Sequence, residues 1–283
     1  MSTTADEYKF TTLSVNSPKP YVLHIQLDRE EKHNTMNHAM WKDMTDCFSK
    51  ASDDENVRSI VLSGKGRLFT AGLDLMEAAQ NFSSSPDQDV ARRGFKMAKY
   101  IGLAQESCSA IERCMKPVVV AIHGACIGGG MDVITACDIR LCAENAYFSI
   151  KEVDVGLAAD MGTLQRLPKI IGNDSLVREL SYTARKIGSN EALSCGLVSK
   201  VYKDDKELME NALQLAAFIA TKSPVAVQST KVNLNYARNH SIPEGLEFMK
   251  SWNATMLQTE DIMKSAGAFM QKKTPADVEF SKL

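Results

Sequence analysis

The stretch at residues 118–132 reads VVVAIHGACIGGGMD, and it decides the fold of this chain. Val118 to Ile122 is apolar throughout, which is typical of a buried strand in a parallel sheet that is covered on both faces. Three glycines follow at 128–130, and the pattern from Met131 to Cys137 predicts a short helix. A buried strand that leads through a glycine turn into a helix indicates α/β architecture.

Strands and helices alternate on both sides of this stretch. Tyr21 to Leu27 and Arg58 to Ser63 predict strands, and Asn37 to Ala51 between them predicts a helix with Asn37 as its N-cap. A Ser- and Asp-rich segment at 81–89 predicts a mobile loop. The other predicted elements are the helix Ala91–Cys114 and the strands Asp138–Cys142 and Tyr147–Ile150. This alternation predicts a mostly parallel sheet.

The C-terminal part of the chain has a different pattern. From about Asp174 it is mainly helical, apart from a short strand predicted at Leu197–Tyr202. The last predicted helices are Glu207–Thr221, Pro224–Ala237 and Ile242–Lys272, the last of them broken. We therefore expect an α/β core at residues 1–205 and a helical region at residues 206–283. Such a region packs on its own core or on a neighbouring subunit, and the sequence does not choose between them.

Composition excludes several classes of protein. The 283 residues hold 33 basic and 35 acidic side chains, for a formal net charge of −2. This balance leaves no basic excess for a broad nucleic-acid footprint, so any bound anion must be met locally. The seven cysteines form no C-x-x-C pair and the five histidines lack H-x-x-x-H spacing, so we expect reduced thiols and no metal site. No apolar run is long enough to span a bilayer.

The two ends of the chain bear on its location. The first ten residues include Asp6 and Glu7 and lack an apolar segment or an Arg-rich amphipathic pattern, so we expect no secretory or mitochondrial leader. The chain stops at Ser281-Lys282-Leu283, which matches the tripeptide that the peroxisomal import receptor reads. The sequence therefore predicts a peroxisomal protein.

Two glycine turns are candidates for chemistry. Gly128 to Gly130 carry no Cβ that would keep a ligand from the backbone, and the helix that follows begins with unpaired N–H groups and partial positive charge. Such a corner can hold a phosphate or stabilise an oxyanion, and a tight turn for helix packing is an equally supported interpretation. A second turn, Phe69–Leu75 (FTAGLDL), follows the strand Arg58–Ser63, and N–H groups from the two turns could converge on one oxygen.

Three carboxylates follow the glycine triplet in the sequence. Asp132 lies in the first turn of the predicted helix, Glu152 lies just past a predicted strand, and Asp160 precedes the segment MGTLQRL. Taken singly, each has an ordinary structural explanation. Asp132 is then a helix-start acid, Glu152 a solvated loop acid, and Asp160 the N-cap of a short helix.

Taken together, the turns and acids resemble the enoyl-CoA hydratase/isomerase (crotonase) superfamily, and within it the Δ3,5-Δ2,4-dienoyl-CoA isomerase branch. The resemblance extends from Tyr21 to Leu283 and is carried by residues 69–75 (FTAGLDL), 122–132 (IHGACIGGGMD) and 151–160 (KEVDVGLAAD). It implies a spiral of β-β-α turns with a helical C-terminal region, assembled as trimers or hexamers, that acts on an acyl-CoA in fatty acid β-oxidation. It implies no cofactor, because coenzyme A is part of the substrate.

The resemblance also implies a role for each residue of the site. The backbone N–H groups of Ala71 and Gly129 would form an oxyanion hole for the thioester oxygen. Glu152 would remove a proton at C2, Asp160 would deliver one at C6, and Asp132 would orient or tune the pair. The rest of the first turn would line the CoA and acyl site: Gly72, Leu73, Asp74 and Leu75.

These roles require a neutral Asp160 and an ionised Glu152 at the same pH. Apolar surroundings and like charge separate the pKa values of neighbouring carboxyls. We therefore expect Asp160 to be mostly protonated and Glu152 to be mostly ionised in the resting site.

Three other functions remain open. Enoyl-CoA hydratases place two glutamates around a water, whereas the first of those positions here is Asp132, and Asp160 stands where hydratases usually have glycine. A Δ3-Δ2-enoyl-CoA isomerase needs one acid-base group, fewer than the three acids present. A non-catalytic binding protein of the same fold is disfavoured by the complete set of acids and turns.

Overall fold

The sheet that carries the site extends on both sides of the apolar strand Val118–Ile122. The computed structural model describes residues 7–82, 88–274 and 277–283, and the loop predicted at 81–89 lies mostly outside these ranges. The strands are Leu13–Lys19 (β1), Val22–Leu27 (β2), Ser59–Gly64 (β3), Val118–Ile122 (β4), Ala125–Ile127 (β5), Ile139–Ala143 (β6), Tyr147–Ser149 (β7), Ile187–Gly188 (β8) and Lys200–Tyr202 (β9).

The helices lie between these strands and dominate the C-terminal part. They are His38–Asp53 (α1), Leu75–Phe82 (α2), Val90–Arg113 (α3), Gly129–Ala136 (α4), Thr163–Ile171 (α5), Asp174–Thr183 (α6), Ser189–Ser194 (α7), Asp205–Ala220 (α8), Pro224–Ala237 (α9), Ile242–Met256 (α10) and Asp261–Met270 (α11). Within the described ranges, no helix is both long and apolar enough to cross a membrane.

The strands form two sheets in the part of the chain that the structure describes. The larger sheet has the order β1-β2-β3-β4-β6-β9, and the smaller has the order β5-β7-β8. In the larger sheet only the edge pair β1 and β2 is antiparallel, and every other neighbouring pair is parallel. The prediction of an α/β fold with a mostly parallel sheet is therefore confirmed.

Strand β4 is buried on both faces, as its composition predicts. Val118, Val120 and Ile122 belong to the main hydrophobic core, whereas Val119 and Ala121 belong to a second core on the opposite face. Helix α8 covers this second face with Leu208, Ala212 and Ala216. Because side chains alternate along a strand, a strand covered on both sides needs apolar residues at every position.

Several predicted elements have different bounds in the structure. The helix predicted from Met131 begins at Gly129, so the last two glycines of the triplet form its first turn. The strand predicted at 197–202 begins at Lys200. Asn37 caps α1 as predicted, since its side chain accepts a hydrogen bond from the Met40 N–H at 3.0 Å. The helix predicted at 242–272 is broken between α10 and α11.

The C-terminal helices are attached to the core unequally. Helix α8 lies directly on the sheet, and α9 is anchored through Lys231, which is 5% exposed. The Lys231 ammonium donates to the carboxylate of Asp138 at 2.7 Å and to the carbonyls of Lys116 and Ile111 at 3.0 and 3.3 Å. Helix α10 has no fully buried residue: its Phe248 stacks on Tyr236 of α9, whereas Ile242 and Leu246 are exposed. A boundary between residues 205 and 206 remains a prediction.

The ion pair between Lys231 and Asp138 can be tested for its contribution to the attachment of α9 to the core. We expect Lys231→Met to lower the free energy of unfolding by about 3 kcal/mol, because it leaves two carbonyls without their donor and Asp138 without its cation. The control Lys250→Met removes an exposed pair with Glu247 and should cost less than about 1 kcal/mol. Urea denaturation of both variants measures the difference, and equal losses would show that α9 does not depend on this contact.

Candidate active site

One cavity of ≈ 320 Å³ brings most of the sequence-predicted residues together. Its wall is formed by the turn before α2, the glycine turn before α4, one face of α3 and the segment around residues 151–161. The predicted residues that line it are Ala71, Gly72, Leu73, Leu75, Gly129, Asp132, Glu152 and Asp160. Asp74 does not belong to this wall, because its carboxylate pairs with Arg29 at 3.1 Å. This cavity does not include Asp74, and its expected place beside the CoA and acyl site stays a prediction.

The two glycine turns are in direct contact. Thr70 bridges to Cys126, with the Thr70 N–H donating to the carbonyl of Ala125 at 3.0 Å. Gly72 has a φ of +92°, and a Cβ at this position would lie 2.8 Å from the carbonyl oxygen of Ile127. Only glycine therefore lets the first turn approach the second this closely.

The backbone donors of the first turn differ from those expected. The Ala71 N–H donates to the carbonyl of His33 at 3.0 Å, so it is not free to bind an oxyanion. Gly72 donates to the hydroxyl of Thr70 at 3.1 Å. Among the described residues no acceptor faces the Leu73 N–H. The structure thus places the available donor two residues beyond Ala71.

The surroundings of Leu73 explain why its N–H is free. The carbonyl of Gly72 and the N–H of Asp74 both bond to Met36, at 2.7 and 2.9 Å. In a strand-like segment these two groups face the same side, so the N–H of Leu73 points away from Met36. Gly129 supplies a second unused donor, because it is the first residue of α4, where an N–H has no partner within the helix.

Asp132 is the most deeply buried acid of the site, at 1% exposed. One carboxylate oxygen accepts the N–H of Thr163 at 2.6 Å, and the other has no hydrogen-bond partner among the described residues. Burial raises the pKa of Asp132 to about 6, against hydrogen bonds from Thr163 that lower it. The nearby charge of Asp160 raises the pKa further, and that of Arg166 lowers it.

Glu152 lies at the start of a 3-10 turn, Glu152–Val155, and its side chain faces the glycine corner. A Cβ on Gly128 would lie 3.4 Å from its Oε1, and its Oε2 is buried without a hydrogen-bond partner in the described part of the chain. Burial raises the pKa of Glu152 to about 7, and the charge of Asp132 adds to this rise. Glu152 is therefore poised to exchange a proton near neutral pH.

Asp160 also lines the cavity. Helix α5 begins at Thr163 with Gly162 as its N-cap, so Asp160 is not the cap that its position before MGTLQRL suggests. Burial raises the pKa of Asp160, although the residue is exposed in the single chain. Since Glu152 and Asp132 are more buried than Asp160, desolvation in the free chain does not favour the expected order of a protonated Asp160 and an ionised Glu152.

Most of the remaining cavity wall is apolar, apart from Lys151, and α3 contributes one face of it. Met97, Tyr100, Ile101 and Ala104 line it at helical spacing, and the ring of Trp41 packs edge-on against Tyr100. The periodicity of α3 identifies this face in the sequence, although not what the face covers. An apolar wall with three carboxyls and two free N–H groups suits a long apolar substrate that gains and loses protons. Within the described ranges, no group of side chains has the arrangement of a metal site.

Comparison with known proteins defines the class of this fold and site. The enoyl-CoA hydratase/isomerase family matches residues 19–277, so the chain belongs to that family. A crystal structure of an enoyl-CoA hydratase from Bacillus anthracis superposes with a TM-score of 0.85, at 28% identity, over 96% of this chain and 99% of that one. The expected crotonase-type fold with a helical C-terminal region is confirmed.

Two relatives within this family are similar to the chain over nearly its whole length. The mitochondrial Δ(3,5)-Δ(2,4)-dienoyl-CoA isomerase of Homo sapiens is 53% identical over 279 residues, which cover 99% of this chain and 85% of the relative. The peroxisomal Δ(3,5)-Δ(2,4)-dienoyl-CoA isomerase of Arabidopsis thaliana is 40% identical over 281 residues, which cover 99% of this chain and all of the relative.

The burial of Asp132 predicts a pH-dependent effect on stability. Its pKa in the folded chain, about 6, lies above the ordinary value of 3.8, so this group makes the protein less stable as pH rises from about 4 to 6. Asp132→Asn keeps an acceptor for Thr163 without the charge. We expect the variant to be more stable than the natural chain at pH 8, by about 1–3 kcal/mol, with the difference shrinking towards pH 4.

Urea denaturation at pH 4, 6 and 8 measures this difference. Asp174→Asn, which removes an exposed carboxylate on α6, serves as the control and should change little across this range. A less stable Asp132→Asn variant at pH 8 would contradict the interpretation that its buried charge is costly.

Proposed function

We propose that this chain isomerises 3,5-dienoyl-CoA to 2,4-dienoyl-CoA in fatty acid β-oxidation. The observation that carries the proposal is the meeting of Asp132, Glu152 and Asp160 on one apolar cavity beside two free backbone donors. The names of relatives at 50–53% identity support the same reaction.

The thioester oxygen of the substrate binds between the two glycine turns in this proposal. Removal of a proton at C2 builds negative charge on that oxygen, and the N–H groups of Leu73 and Gly129 stabilise it. One such donor typically contributes about 3 kcal/mol to lowering the barrier. Leu73 takes the role that the family resemblance implied for Ala71, because the Ala71 N–H is already bonded to His33.

Two carboxyls then move the protons. Glu152, which lies beside the glycine corner, removes the proton at C2 as its base. Asp160, which lines the same cavity, delivers a proton to C6 as the double bonds move into conjugation with the thioester. Asp132 is the most deeply buried of the three acids, and its charge raises the pKa of Glu152. Each turnover leaves Glu152 protonated and Asp160 ionised, and exchange with water restores the pair.

Binding of the acyl chain favours the protonated state of Asp160. In the free chain Asp160 is exposed, so water stabilises its ionised form. An acyl chain that fills the cavity excludes this water and raises the pKa of Asp160 further. The protonated acid is therefore favoured when a substrate is bound.

The proposal needs no metal and no cofactor, because the acids and backbone donors supply the proton transfers and coenzyme A arrives with the substrate. We also propose a homotrimer or homohexamer. Large apolar side chains on the outer helices, among them Leu246 at 67% and Phe269 at 85% exposed, support burial against a second copy.

The proposal predicts the behaviour of a variant in the acid at C6. Asp160→Asn should lower kcat for isomerisation by about 10³-fold, with little change in KM, because it removes proton delivery and retains the cavity. The strong ultraviolet absorbance of the conjugated 2,4-dienoyl product measures the rate. Val153→Ala, in the exposed part of the 3-10 turn, is the control and should retain activity.

Two patterns of activity, and a third result without activity, would exclude the proposed reaction. One is a natural chain that forms no conjugated product while it hydrates crotonyl-CoA efficiently, which would favour the enoyl-CoA hydratase alternative. The other is a natural chain that converts a 3-enoyl-CoA but not a 3,5-dienoyl-CoA, which would favour a Δ3-Δ2-enoyl-CoA isomerase. A chain that binds acyl-CoA and converts none of these substrates would be a non-catalytic binding protein.

The peroxisome is the compartment that we propose, on the basis of Ser281-Lys282-Leu283. The relatives support an organelle of fatty acid oxidation without deciding which, since the human protein is named mitochondrial and the Arabidopsis protein peroxisomal. In the folded chain, the Lys282 ammonium donates to Glu55 at 2.8 Å and the Ser281 hydroxyl to Glu260 at 2.5 Å. A receptor must break these bonds to reach the tripeptide.

Fluorescence microscopy of an N-terminal green fluorescent protein fusion tests the compartment. We expect the fusion to coincide with a peroxisomal marker, and removal of residues 281–283 to leave it dispersed in the cytosol. Replacing Lys250 by Met is the control and should not change the distribution. A mitochondrial pattern in all three proteins would contradict the proposal.

A further inference from the structure

The turn that carries Asp160 is held at successive residues by side chains of other elements. Gln105 of α3 donates its side-chain N–H to the carbonyl of Asp160 at 2.7 Å. Arg166 of α5 donates to the carbonyl of Met161 at 3.3 Å. Thr163 completes the turn by donating its N–H to Asp132. The backbone from the carbonyl of Asp160 to Thr163 is therefore held by three contacts, although Asp160 itself is exposed.

Arg166 is itself oriented by Glu112 of α3. Its Nε and one terminal nitrogen donate to the same carboxylate oxygen of Glu112, at 3.0 and 2.9 Å. The other oxygen of Glu112 accepts from Arg238, at the end of α9, at 2.6 Å. The Arg166 and Glu112 side chains are 12% and 26% exposed, so this pair is shielded from solvent more than an ordinary surface ion pair.

Gly162 shows how closely Arg166 approaches the turn. This glycine has a φ of +131°, and a Cβ built on it would lie 1.8 Å from a terminal nitrogen of Arg166 and 2.9 Å from its Cζ. The guanidinium therefore lies against the backbone where any larger residue has a side chain. Arg166 and Gly162 fit as a pair, and the conformation of the turn depends on both.

We propose that Arg166 and Gln105 are positioning residues for Asp160, with Glu112 orienting Arg166. This inference rests on the proposed isomerase function and goes beyond it, because none of these side chains transfers a proton. Their effect is to hold the acid at the distance from C6 that proton delivery requires. A displacement of about 1 Å can lower a rate by about 10²-fold.

The alternative is that these contacts only stabilise the fold. The two roles differ in a measurable way, because the reaction has two separable proton transfers. Glu152 removes the proton at C2, and within the described residues its side chain has no hydrogen bond to Arg166, Gln105 or Glu112. Displacement of Asp160 alone therefore leaves removal of the C2 proton intact and slows delivery at C6. General loss of structure slows both.

The experiment compares these two steps in deuterium oxide. Isomerisation is followed by ultraviolet absorbance, and exchange at C2 is followed by mass spectrometry of the recovered 3,5-dienoyl-CoA. For Arg166→Met we expect isomerisation to fall by about 10²-fold while the rate of C2 exchange stays close to that of the natural chain. Arg166→Lys should recover part of the loss, since it keeps the charge without the paired contact to Glu112.

Gln105→Leu provides a second, milder variant. Gln105 is exposed, so this variant folds even where Arg166→Met does not, and we expect its ratio of exchange to isomerisation to rise about tenfold. The matched controls are Arg185→Met, which removes an arginine bonded to two carboxylates between α6 and α7, and Gln214→Leu, on the surface of α8. Both controls should keep the ratio of the natural chain.

The outcomes separate this inference from the proposed function. If the ratio of C2 exchange to isomerisation is unchanged in Gln105→Leu and in folded Arg166→Met, the positioning role is contradicted. This holds whether the rates of exchange and isomerisation both fall or both stay the same. If the natural chain itself forms no conjugated product, it is the proposed isomerase function that fails. If the natural chain isomerises and only the two site variants raise the ratio, the positioning role is supported.

Discussion

The free-energy cost of placing carboxyl groups in an apolar wall is the constraint on which the rest of the site depends. Water stabilises a carboxylate, and the cavity removes much of that water from Asp132 and Glu152. The pKa values rise as a result, and a carboxyl that would be a weak base in water becomes able to exchange protons near neutral pH. The surrounding fold must be stable enough to tolerate these groups, and the two hydrophobic cores on either side of β4 provide that stability.

The approach of two backbone turns meets the opposite need, which is to stabilise negative charge without adding a charged side chain. Gly72 and Gly128 lie where any Cβ would separate the turns or meet Glu152. The free N–H groups of Leu73 and Gly129 therefore lie on the same cavity as the acids. This arrangement explains how a chain with a net charge of −2 can favour an anionic intermediate, because backbone amides contribute nothing to the net charge.

Local sequence patterns identified the main strand and the glycine turns, whereas the three acids stood out only through the resemblance to a family. Periodicity gave the bounds of β4 and α9 to the residue, and residue type marked Asn37 as a cap. The errors concern contacts between distant segments. Ala71 is excluded as a donor by the carbonyl of His33, 38 positions away in the chain, and the order of the pKa values depends on burial that no local pattern encodes. Strands β5 and β8 have three and two residues, too few for periodicity to reveal them.

The bond between Arg238 and Glu112 has a consequence for chimeras that exchange the C-terminal helices of this chain for those of another protein. Arg238 ends α9, so the turn that carries Asp160 is linked through Glu112 and Arg166 to the helical C-terminal region. A chimera that joined this α/β core to the C-terminal helices of another family member would keep every acid and backbone donor of the cavity. It would still lose this link unless the new helix supplied a cation at the same place. The C-terminal helices are thus not an interchangeable module, because part of what holds the active-site turn lies within them.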